Sequence, residues 1–188
     1  TITLNRPDAM NSFTRKMMDE CEHAWRHIAE TDDIHCAVLR AAPGRAFSTG
    51  VDVKAAMQPG GSVMHDNIWT AEDPGEKLGP KSNRCWKPVI CAVHGMAAGG
   101  AFYWINESDI VICSEDATFF DPHVTYGMTA ALEPIGATYR MPLGDVLRMA
   151  LLGNDERISA HTALRLGLVT EVTPNETLWD RAQALAEI

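Results

Sequence analysis

The sequence lacks a paired cysteine pattern and any apolar run long enough to cross a bilayer. Its longest apolar stretches are interrupted by glycine, asparagine or charge before they reach the ~20 residues that a transmembrane helix needs. The five cysteines form neither a CxxC pair nor an even set, so we interpret them as reduced, mostly buried thiols. The sequence therefore predicts a soluble, cytoplasmic protein that does not span a membrane.

Positive charge is also scarce. The chain has 16 Lys and Arg residues against 25 Asp and Glu residues, which gives a net charge of −9, and the basic residues are scattered. Binding to nucleic acid requires a concentrated basic surface, so nucleic acid is excluded as a partner and a small-molecule ligand is favoured. A length of 188 residues with 46% hydrophobic residues is typical of a globular domain that buries a core of its own.

Short apolar segments that are typical of buried strands alternate with segments whose apolar residues recur at helical spacing. Residues 36–40, 88–93, 109–113 and 117–120 are nearly continuous apolar runs, as in sheets covered on both faces. Apolar residues at helical spacing predict a first helix that is capped at Asn11 or Ser12 and ends near Glu30. This alternation predicts an α/β protein.

Towards the end of the chain, a helix over 159–166 is predicted between a Ser159 cap and Gly167. A strand over 168–172 follows it, and then a last helix from about residue 175 that is still running at residue 188. A chain that begins inside a strand and stops inside a helix is expected to be part of a longer protein.

Residues 57–87 are rich in glycine and proline and show little periodicity. A connection of this length inside a compact domain is usually a functional loop or lid. Trp69 and Trp86 within it are interpreted either as the lining of an apolar pocket or as packing anchors.

The segment from Gly95 to Ala101 combines a strand end, a tight turn and the pair Gly99 and Gly100 at a helix start. Free backbone N–H groups at such a start favour negative charge. The alternative is that the glycine pair only lets the helix pack closely on the strand. Because GxGxxG, GxxxxGK[ST] and GxSxG are all missing, a dinucleotide fold, a P-loop and a GxSxG hydrolase are not supported.

A second backbone site is indicated where Gly50 permits a sharp bend between Thr49 and Val51. If amides from the two glycine-containing loops converge, they form an oxyanion hole that stabilises charge on a carbonyl oxygen by about 3 kcal/mol per donor. The sequence alone leaves that convergence open.

Six ordered segments, which together run over nearly the whole chain, resemble the crotonase superfamily, also called the enoyl-CoA hydratase/isomerase family. They are LNRPDAMN (4–11), RAFSTGVDVK (45–54), KPVICAVHG with AGG (87–95 and 98–100), DIVI (109–112), FDP (120–122), and RISA with ALRLGLV (157–160 and 163–169). Each segment is weak evidence by itself, and their common order makes the resemblance specific.

The resemblance implies a fold, an assembly and a substrate class. The fold would be a crotonase-like spiral of ββα turns of the ClpP/crotonase type, with a spiral core over residues 1–170. Residues 171–188 would begin a C-terminal helical region that is truncated here. Family members assemble as homotrimers or homohexamers and act on acyl-CoA, which is their substrate, without a further cofactor or a metal.

The resemblance also implies site residues. Val51 and Gly100 would supply the oxyanion-hole amides. Lys54 would lie near the CoA phosphates, unless it is an ordinary exposed lysine. The residues implied to contact CoA or the substrate are Ala46, Phe47, Thr49, Asp52, Val53, Lys54 and Gly99.

Two positions depart from the family pattern. Family hydratases carry glutamates at the places where this chain has Tyr103 and His123, and a pair without carboxylates cannot orient and deprotonate water in the same way. Our hypothesis is that His123 is the general base and Tyr103 a hydrogen-bond donor, and the alternative is that His123 only fills space. The acids Glu133, Asp121 and Asp52 lie near the matched segments but on no family catalytic position.

Three functions are therefore compatible with the sequence. The first is an acyl-CoA enzyme of the hydratase/isomerase type that stabilises an enolate with altered acid/base groups. The second is a hydrolase of a CoA thioester or of a 1,3-dicarbonyl C–C bond, in which His123 activates water. The third is a non-catalytic subunit that binds acyl-CoA.

Overall fold

The computed structural model describes residues 1–63, 69 and 73–188. Its strands are β1 (Ile2–Leu4), β2 (Ala37–Ala41), β3 (Ala46–Ser48), β4 (Val89–Val93), β5 (Met96–Ala98), β6 (Ile110–Ser114), β7 (Thr118–Phe120), β8 (Ile158–Ser159) and β9 (Glu171–Thr173). Its α-helices are α1 (Arg15–Glu30), α2 (Val53–Ala56), α3 (Gly75–Leu78), α4 (Ala101–Glu107), α5 (Leu132–Ala137), α6 (Leu143–Leu152), α7 (Ala160–Leu166) and α8 (Leu178–Ala186). Among these helices, none has the length and apolar character needed to span a membrane.

The strands form two sheets, and strands β2 to β7 alternate between them. One sheet has the order β1-β2-β4-β6-β9 and is parallel throughout, and the other has the order β3-β5-β7-β8 with only β8 antiparallel. The pairs β2/β3, β4/β5 and β6/β7 each place one strand in each sheet, and a helix follows each pair. This repeat is a spiral of ββα turns, so the predicted fold class is confirmed.

Both faces of the parallel sheet are covered. The main core lies on one face and contains alternate strand residues such as Leu39, Cys91 and Val111. Helix α8 covers the other face, where a smaller cluster consists of Val38, Ile90, Ala92, Ile112, Leu178 and Ala182. Because successive strand residues point to opposite faces, burial on both sides explains why these strands are continuous apolar runs.

Helix α1 begins later than predicted. Its N-cap is Thr14, whose side chain accepts a hydrogen bond from the Met17 N–H at 3.4 Å. Asn11 is fully buried with a φ of 50°, and its side chain donates to the Ala46 carbonyl at 2.9 Å. The Ser12 hydroxyl donates to the Ala9 carbonyl. The predicted cap was therefore wrong, because both candidate side chains tie the preceding turn together.

Of the predictions for the C-terminal part of the chain, one helix is confirmed and the bounds of the strand and the last helix differ. Helix α7 is capped by the Ser159 hydroxyl and ends at Gly167, which has a φ of +85°, so this prediction is confirmed. The strand predicted over 168–172 was placed too early, since β9 covers Glu171–Thr173 while Leu168 is buried outside any strand. The last helix ends at Ala186 and is preceded by a 3-10 turn over Asn175–Thr177.

The loop predicted over 57–87 contains the short helix α3. Residues 64–68 and 70–72 lie outside the described residues, and with them much of the predicted lid and the surroundings of Trp69. Trp86 is 74% exposed, so it neither lines an enclosed pocket nor anchors the packing.

Candidate active site

Two backbone loops meet at one edge of the second sheet. Strands β3 and β5 are parallel neighbours, so the loops that follow them leave the sheet on the same side. Gly50 has a φ of +81°, and a Cβ at that position would lie 3.0 Å from the Gly100 nitrogen and 3.2 Å from the Ala98 carbonyl oxygen. Only glycine satisfies both the left-handed conformation and this close approach.

The Val51 and Gly100 amides lie on these two loops. Phe13 forms a parallel bridge with Val51, in which the Phe13 N–H donates to the Gly50 carbonyl and the Asp52 N–H donates to the Phe13 carbonyl. A parallel bridge of this kind leaves the N–H of Val51 directed away from Phe13. Gly100 is the N-cap of α4, where backbone N–H groups have no partner inside the helix. The structure thus brings the two predicted oxyanion residues to adjoining loops.

An ion pair holds the loop that carries Val51. Arg6 Nη2 lies 2.8 Å from Asp52 Oδ2, and Arg6 Nη1 donates to the Ser12 carbonyl. Asp52 Oδ1 accepts the Ala55 N–H at 2.9 Å and so caps α2. The Ala55 amide and then the Arg6 guanidinium lower the pKa of Asp52. Asp52 therefore holds the loop in place through its ion pair with Arg6 and its hydrogen bond to the Ala55 N–H.

The other residues implied to contact CoA differ in accessibility. The side chains of Ala46 and Phe47 are fully buried, and Phe47 packs edge-on against Trp104. Any contact of these two residues with a ligand would involve their backbone. Val53 and Lys54 are exposed beside the loop, and Thr49 is partly buried.

His123 lies just after β7 and is held by a buried aspartate. The Asp121 carboxylate is fully buried, and its Oδ1 accepts from the His123 N–H at 3.0 Å and lies 2.5 Å from His123 Nδ1. Within the described residues, Asp121 Oδ2 has no hydrogen-bond partner. The hydrogen bond to Asp121 raises the pKa of His123 above its ordinary value of 6.5, against the opposing effect of burial. The contact with Asp121 holds His123 Nδ1 in place, so that Nε2, on the opposite side of the ring, points away from Asp121.

Helix α5 adds a carboxylate that no family position predicts. Glu133 is only 5% exposed, and its Oε1 lies 3.6 Å from His123 Nε2. Burial raises the pKa of Glu133. Glu133 lies on no family catalytic position, although a single acid inside the apolar stretch AALEPIGA is a signal that it is buried and paired.

Tyr103 and Gly99 complete the cluster. A Cβ at Gly75 would lie 2.6 Å from the Tyr103 ring, and one at Gly100 would lie 3.4 Å from it. The Tyr103 hydroxyl interacts with the carboxylates of Asp73 and Glu133, and burial together with these two acids raises its pKa.

On the other side of the glycine pair, a Cβ at Gly99 would lie 3.4 Å from the Pro122 ring and 3.8 Å from His123 Cε1. Tyr103 and His123 therefore flank the two glycines. In the part of the chain that the structure describes, no group of three or more His, Cys, Asp or Glu residues could hold a metal ion.

A family model described as enoyl-CoA hydratase/isomerase matches residues 1–188. The chain belongs to this family. It is 33% identical to (E)-benzylidenesuccinyl-CoA hydratase of Thauera aromatica, over 99% of this chain and 70% of the relative. It is 32% identical to 1,2-epoxyphenylacetyl-CoA isomerase of Escherichia coli K12, again over 99% of this chain and 70% of the relative.

Solved structures agree with this assignment. An enoyl-CoA hydratase/isomerase from Mycobacterium paratuberculosis superposes with a TM-score of 0.88 at 38% identity, over 98% of this chain and 70% of that one. This enoyl-CoA hydratase/isomerase family member therefore has the crotonase fold and is an enzyme of the hydratase/isomerase type. The third interpretation of the sequence, a non-catalytic subunit, is not supported by these relatives.

Proposed function

We propose that this enzyme binds an acyl-CoA thioester and stabilises its enolate with the N–H groups of Val51 and Gly100. The observation that carries the proposal is the backbone contact between the Gly50 and Gly100 loops. Two N–H donors aimed at a thioester oxygen stabilise the charge that develops when a proton leaves C2 or when water adds at C3. CoA is the substrate's carrier in this proposal, and no further cofactor is required.

His123 is the proton acceptor in this proposal. Asp121 keeps a proton on Nδ1, so Nε2 is available as the base, and the buried carboxylate stabilises the imidazolium that forms. Tyr103 donates a hydrogen bond across the pocket. These groups suit the hydration of a 2-enoyl-CoA or a shift of its double bond, and both a hydratase and an isomerase are among the named relatives.

The CoA moiety is proposed to lie along the loop after β3. Thr49, Asp52 and Val53 border the adenine and pantetheine, with the backbone of Ala46 and Phe47 behind them, and Lys54 faces the phosphates. Gly99 leaves room for the thioester beside His123.

Hydrolysis is the second candidate. The 2.5 Å contact between His123 Nδ1 and Asp121 Oδ1 favours it, because an imidazole backed by a buried carboxylate activates water for attack on a carbonyl carbon. Release of free CoA distinguishes this reaction from hydration.

The test is a kinetic comparison on crotonyl-CoA and 3-hexenoyl-CoA, with hydration, double-bond shift and free thiol recorded in parallel. We expect turnover without thiol release, and a loss of about 100-fold or more in kcat/KM for His123→Gln. His161→Gln, an exposed histidine on α7, is the matched control and should match the wild type. Thiol release would favour the hydrolase, and an unchanged kcat/KM in His123→Gln would remove His123 from the mechanism.

A further inference from the structure

The proposed function leaves one acid of the site without a role. Glu133 is buried, its Oε1 lies 3.6 Å from His123 Nε2, and its carboxylate interacts with the Tyr103 hydroxyl. A carboxylate that is withdrawn from water beside a base and a phenol is costly unless it is paired. Its contact with His123 Nε2 places it on the side of the imidazole where proton transfer would occur.

The helix pair α4 and α5 holds Glu133 in this place. Asn106 Nδ2 donates to the Glu133 carbonyl at 2.9 Å, and a Cβ at Gly136 would lie 2.4 Å from the same amide nitrogen. Glycine at 136 therefore allows the close approach of the two helices. Tyr103 and Asn106 are three residues apart and share a face of α4, so one fixes the backbone of Glu133 while the other contacts its side chain.

We propose that Glu133 is a second catalytic residue, which transfers the proton at C2 of the acyl chain while His123 transfers the proton of the water that adds at C3. This assignment rests on the proposed function. Family hydratases carry a glutamate on α4, at the position where this chain has Tyr103. In this proposal Glu133 on α5 takes the place of that glutamate.

The steps balance with water as the only co-reactant. His123 Nε2 accepts a proton from water as the water oxygen bonds to C3, and the C2=C3 π pair moves into the thioester to give the enolate. The Glu133 carboxyl donates its proton to C2, where the enolate pair forms the new C–H bond. His123 Nε2 then releases its proton to water and the Glu133 carboxylate takes one up from water, which restores both groups, because the 3.6 Å between Nε2 and Oε1 is too long for a direct hydrogen bond.

The protonation that this role demands fits the surroundings of Glu133. Burial raises its pKa and outweighs the lowering effects of its backbone hydrogen bond, of His123 and of Tyr103, so the protonated donor is more populated than for an exposed glutamate. In the reverse direction, the ionised carboxylate removes a proton from C2. Glu133 alone can therefore exchange the C2 protons of a saturated thioester, which offers no double bond to water.

The experiment separates the two proton transfers. Exchange of the C2 protons of butyryl-CoA in D2O is followed by mass spectrometry, and hydration of crotonyl-CoA by absorbance. The enzymes compared are the wild type, Glu133→Gln, His123→Gln and Glu176→Gln, the last being a control at an exposed glutamate. Binding of butyryl-CoA by calorimetry and far-UV circular dichroism verify that each variant is folded.

We expect Glu133→Gln to lose about 100-fold or more in both exchange and hydration, and His123→Gln to lose hydration but keep exchange within about tenfold. Exchange by Glu133→Gln at the wild-type rate, or its loss in His123→Gln alone, would overturn the assignment while leaving the proposed function intact. Absence of both exchange and hydration in the wild type would overturn the proposed function itself.

If Glu133→Gln does not fold, Glu133→Asp supplies the comparison, because it keeps the carboxyl group but withdraws it by one methylene. We expect it to retain exchange at about one tenth to one hundredth of the wild-type rate, since a misplaced proton-transfer group is inefficient. Exchange at the full wild-type rate in this variant would contradict a proton transfer that depends on the position of this carboxyl group.

Discussion

Asp121 controls the proton affinity of His123, which makes the pH dependence of the reaction a test at the scale of single residues. The raised pKa of His123 means that its neutral form, the base, predominates only above a pH higher than 6.5. We therefore expect kcat/KM to have an acidic limb at that pKa, and a second limb where the Glu133 carboxyl loses the proton that it donates to C2. In Asp121→Asn the pKa should fall, because the main charge facing the imidazole is removed while those of Glu133 and Asp73 remain.

The measurement is kcat/KM of wild type and Asp121→Asn across about pH 5 to 9. The acidic limb should move to lower pH in the variant, and the plateau should fall by about tenfold or more because the imidazole is no longer held in one orientation. A plateau that falls with no movement of the limb would show that Asp121 does not act through the pKa of His123.

Gly50 allows the close approach of the two loops that carry the Val51 and Gly100 amides. An alanine there would combine a φ of +81° with a Cβ 3.0 Å from the Gly100 nitrogen. We expect Gly50→Ala to lower the free energy of unfolding by about 1–2 kcal/mol and kcat/KM by about 100-fold, since it would separate the two amides.

Gly60→Ala is the matched control, because Gly60 has a φ of +72° and a Cβ at that position would meet none of the described residues within 4 Å. It should lose about 1 kcal/mol of stability and no activity. Stability is measured by urea unfolding and activity on crotonyl-CoA. Equal activity losses in the two variants would mean that left-handed strain, rather than the contact between the loops, causes the effect.

The residues of the site differ in how far the sequence predicts them. Tyr103 and His123 follow from the family resemblance, because each lies close to a glycine or proline that matches a family segment. Glu133 does not, because its approach to His123 depends on how α5 packs against α4, and that packing rests on Asn106 and Gly136. A contact between residues of different elements leaves only the weak signal of an acid in an apolar segment.

At the scale of elements, the Arg6 ion pair joins the first turn of the chain to the loop that carries Val51. We expect Arg6→Met to lower the free energy of unfolding by about 1 kcal/mol, because the pair is hydrogen-bonded but partly screened by solvent. We also expect a rise of KM and a fall of kcat of about threefold to tenfold, because the Val51 amide loses its support.

Arg181→Met is the matched control, since Arg181 makes a bidentate ion pair with Glu171 between α8 and β9. It should leave kinetics and thermal stability close to the wild type, as exposed pairs contribute little. Wild-type kinetics for Arg6→Met would show that the loop holds its geometry through the Phe13 bridge alone.

Element boundaries were predicted well where one residue decides them and poorly where tertiary contacts compete. Ser159 and Gly167 delimit α7 because a cap and a left-handed glycine act locally. At α1 the same logic selected Asn11 or Ser12, but the Asn11 amide donates to the Ala46 carbonyl of a strand 35 residues away and the Ser12 hydroxyl to the Ala9 carbonyl. A side chain that can cap a helix can also bind a distant strand, and spacing does not distinguish the two.

At the scale of the whole molecule, the order of six short segments predicted the spiral that the two sheets display. Burial on both faces of the parallel sheet, by the main core and by α8, accounts for the apolar strands from which the α/β class was inferred. The sequence segments did not predict how α5 packs or which helix surfaces are exposed, because both depend on the assembled fold.

Helix α6 carries apolar side chains on opposite sides. Val146 and Met149 are buried against the core, whereas Leu143, Leu147 and Leu151 are largely exposed at a spacing of four residues. An exposed apolar stripe on a helix that already buries its other face is typical of a surface covered by another chain. We propose that a second copy of this chain covers it, within a homotrimer or homohexamer.

Light scattering after size exclusion should give three or six times the 20.6 kDa of this chain. Leu147→Glu should reduce the mass towards one chain, because it would bury a charge that has no partner. Ile188→Glu changes a side chain that is 99% exposed and should leave the mass unaltered. A single-chain mass for the wild type would contradict the assembly. An oligomer that survives Leu147→Glu would place its interface elsewhere than on the stripe formed by Leu143, Leu147 and Leu151.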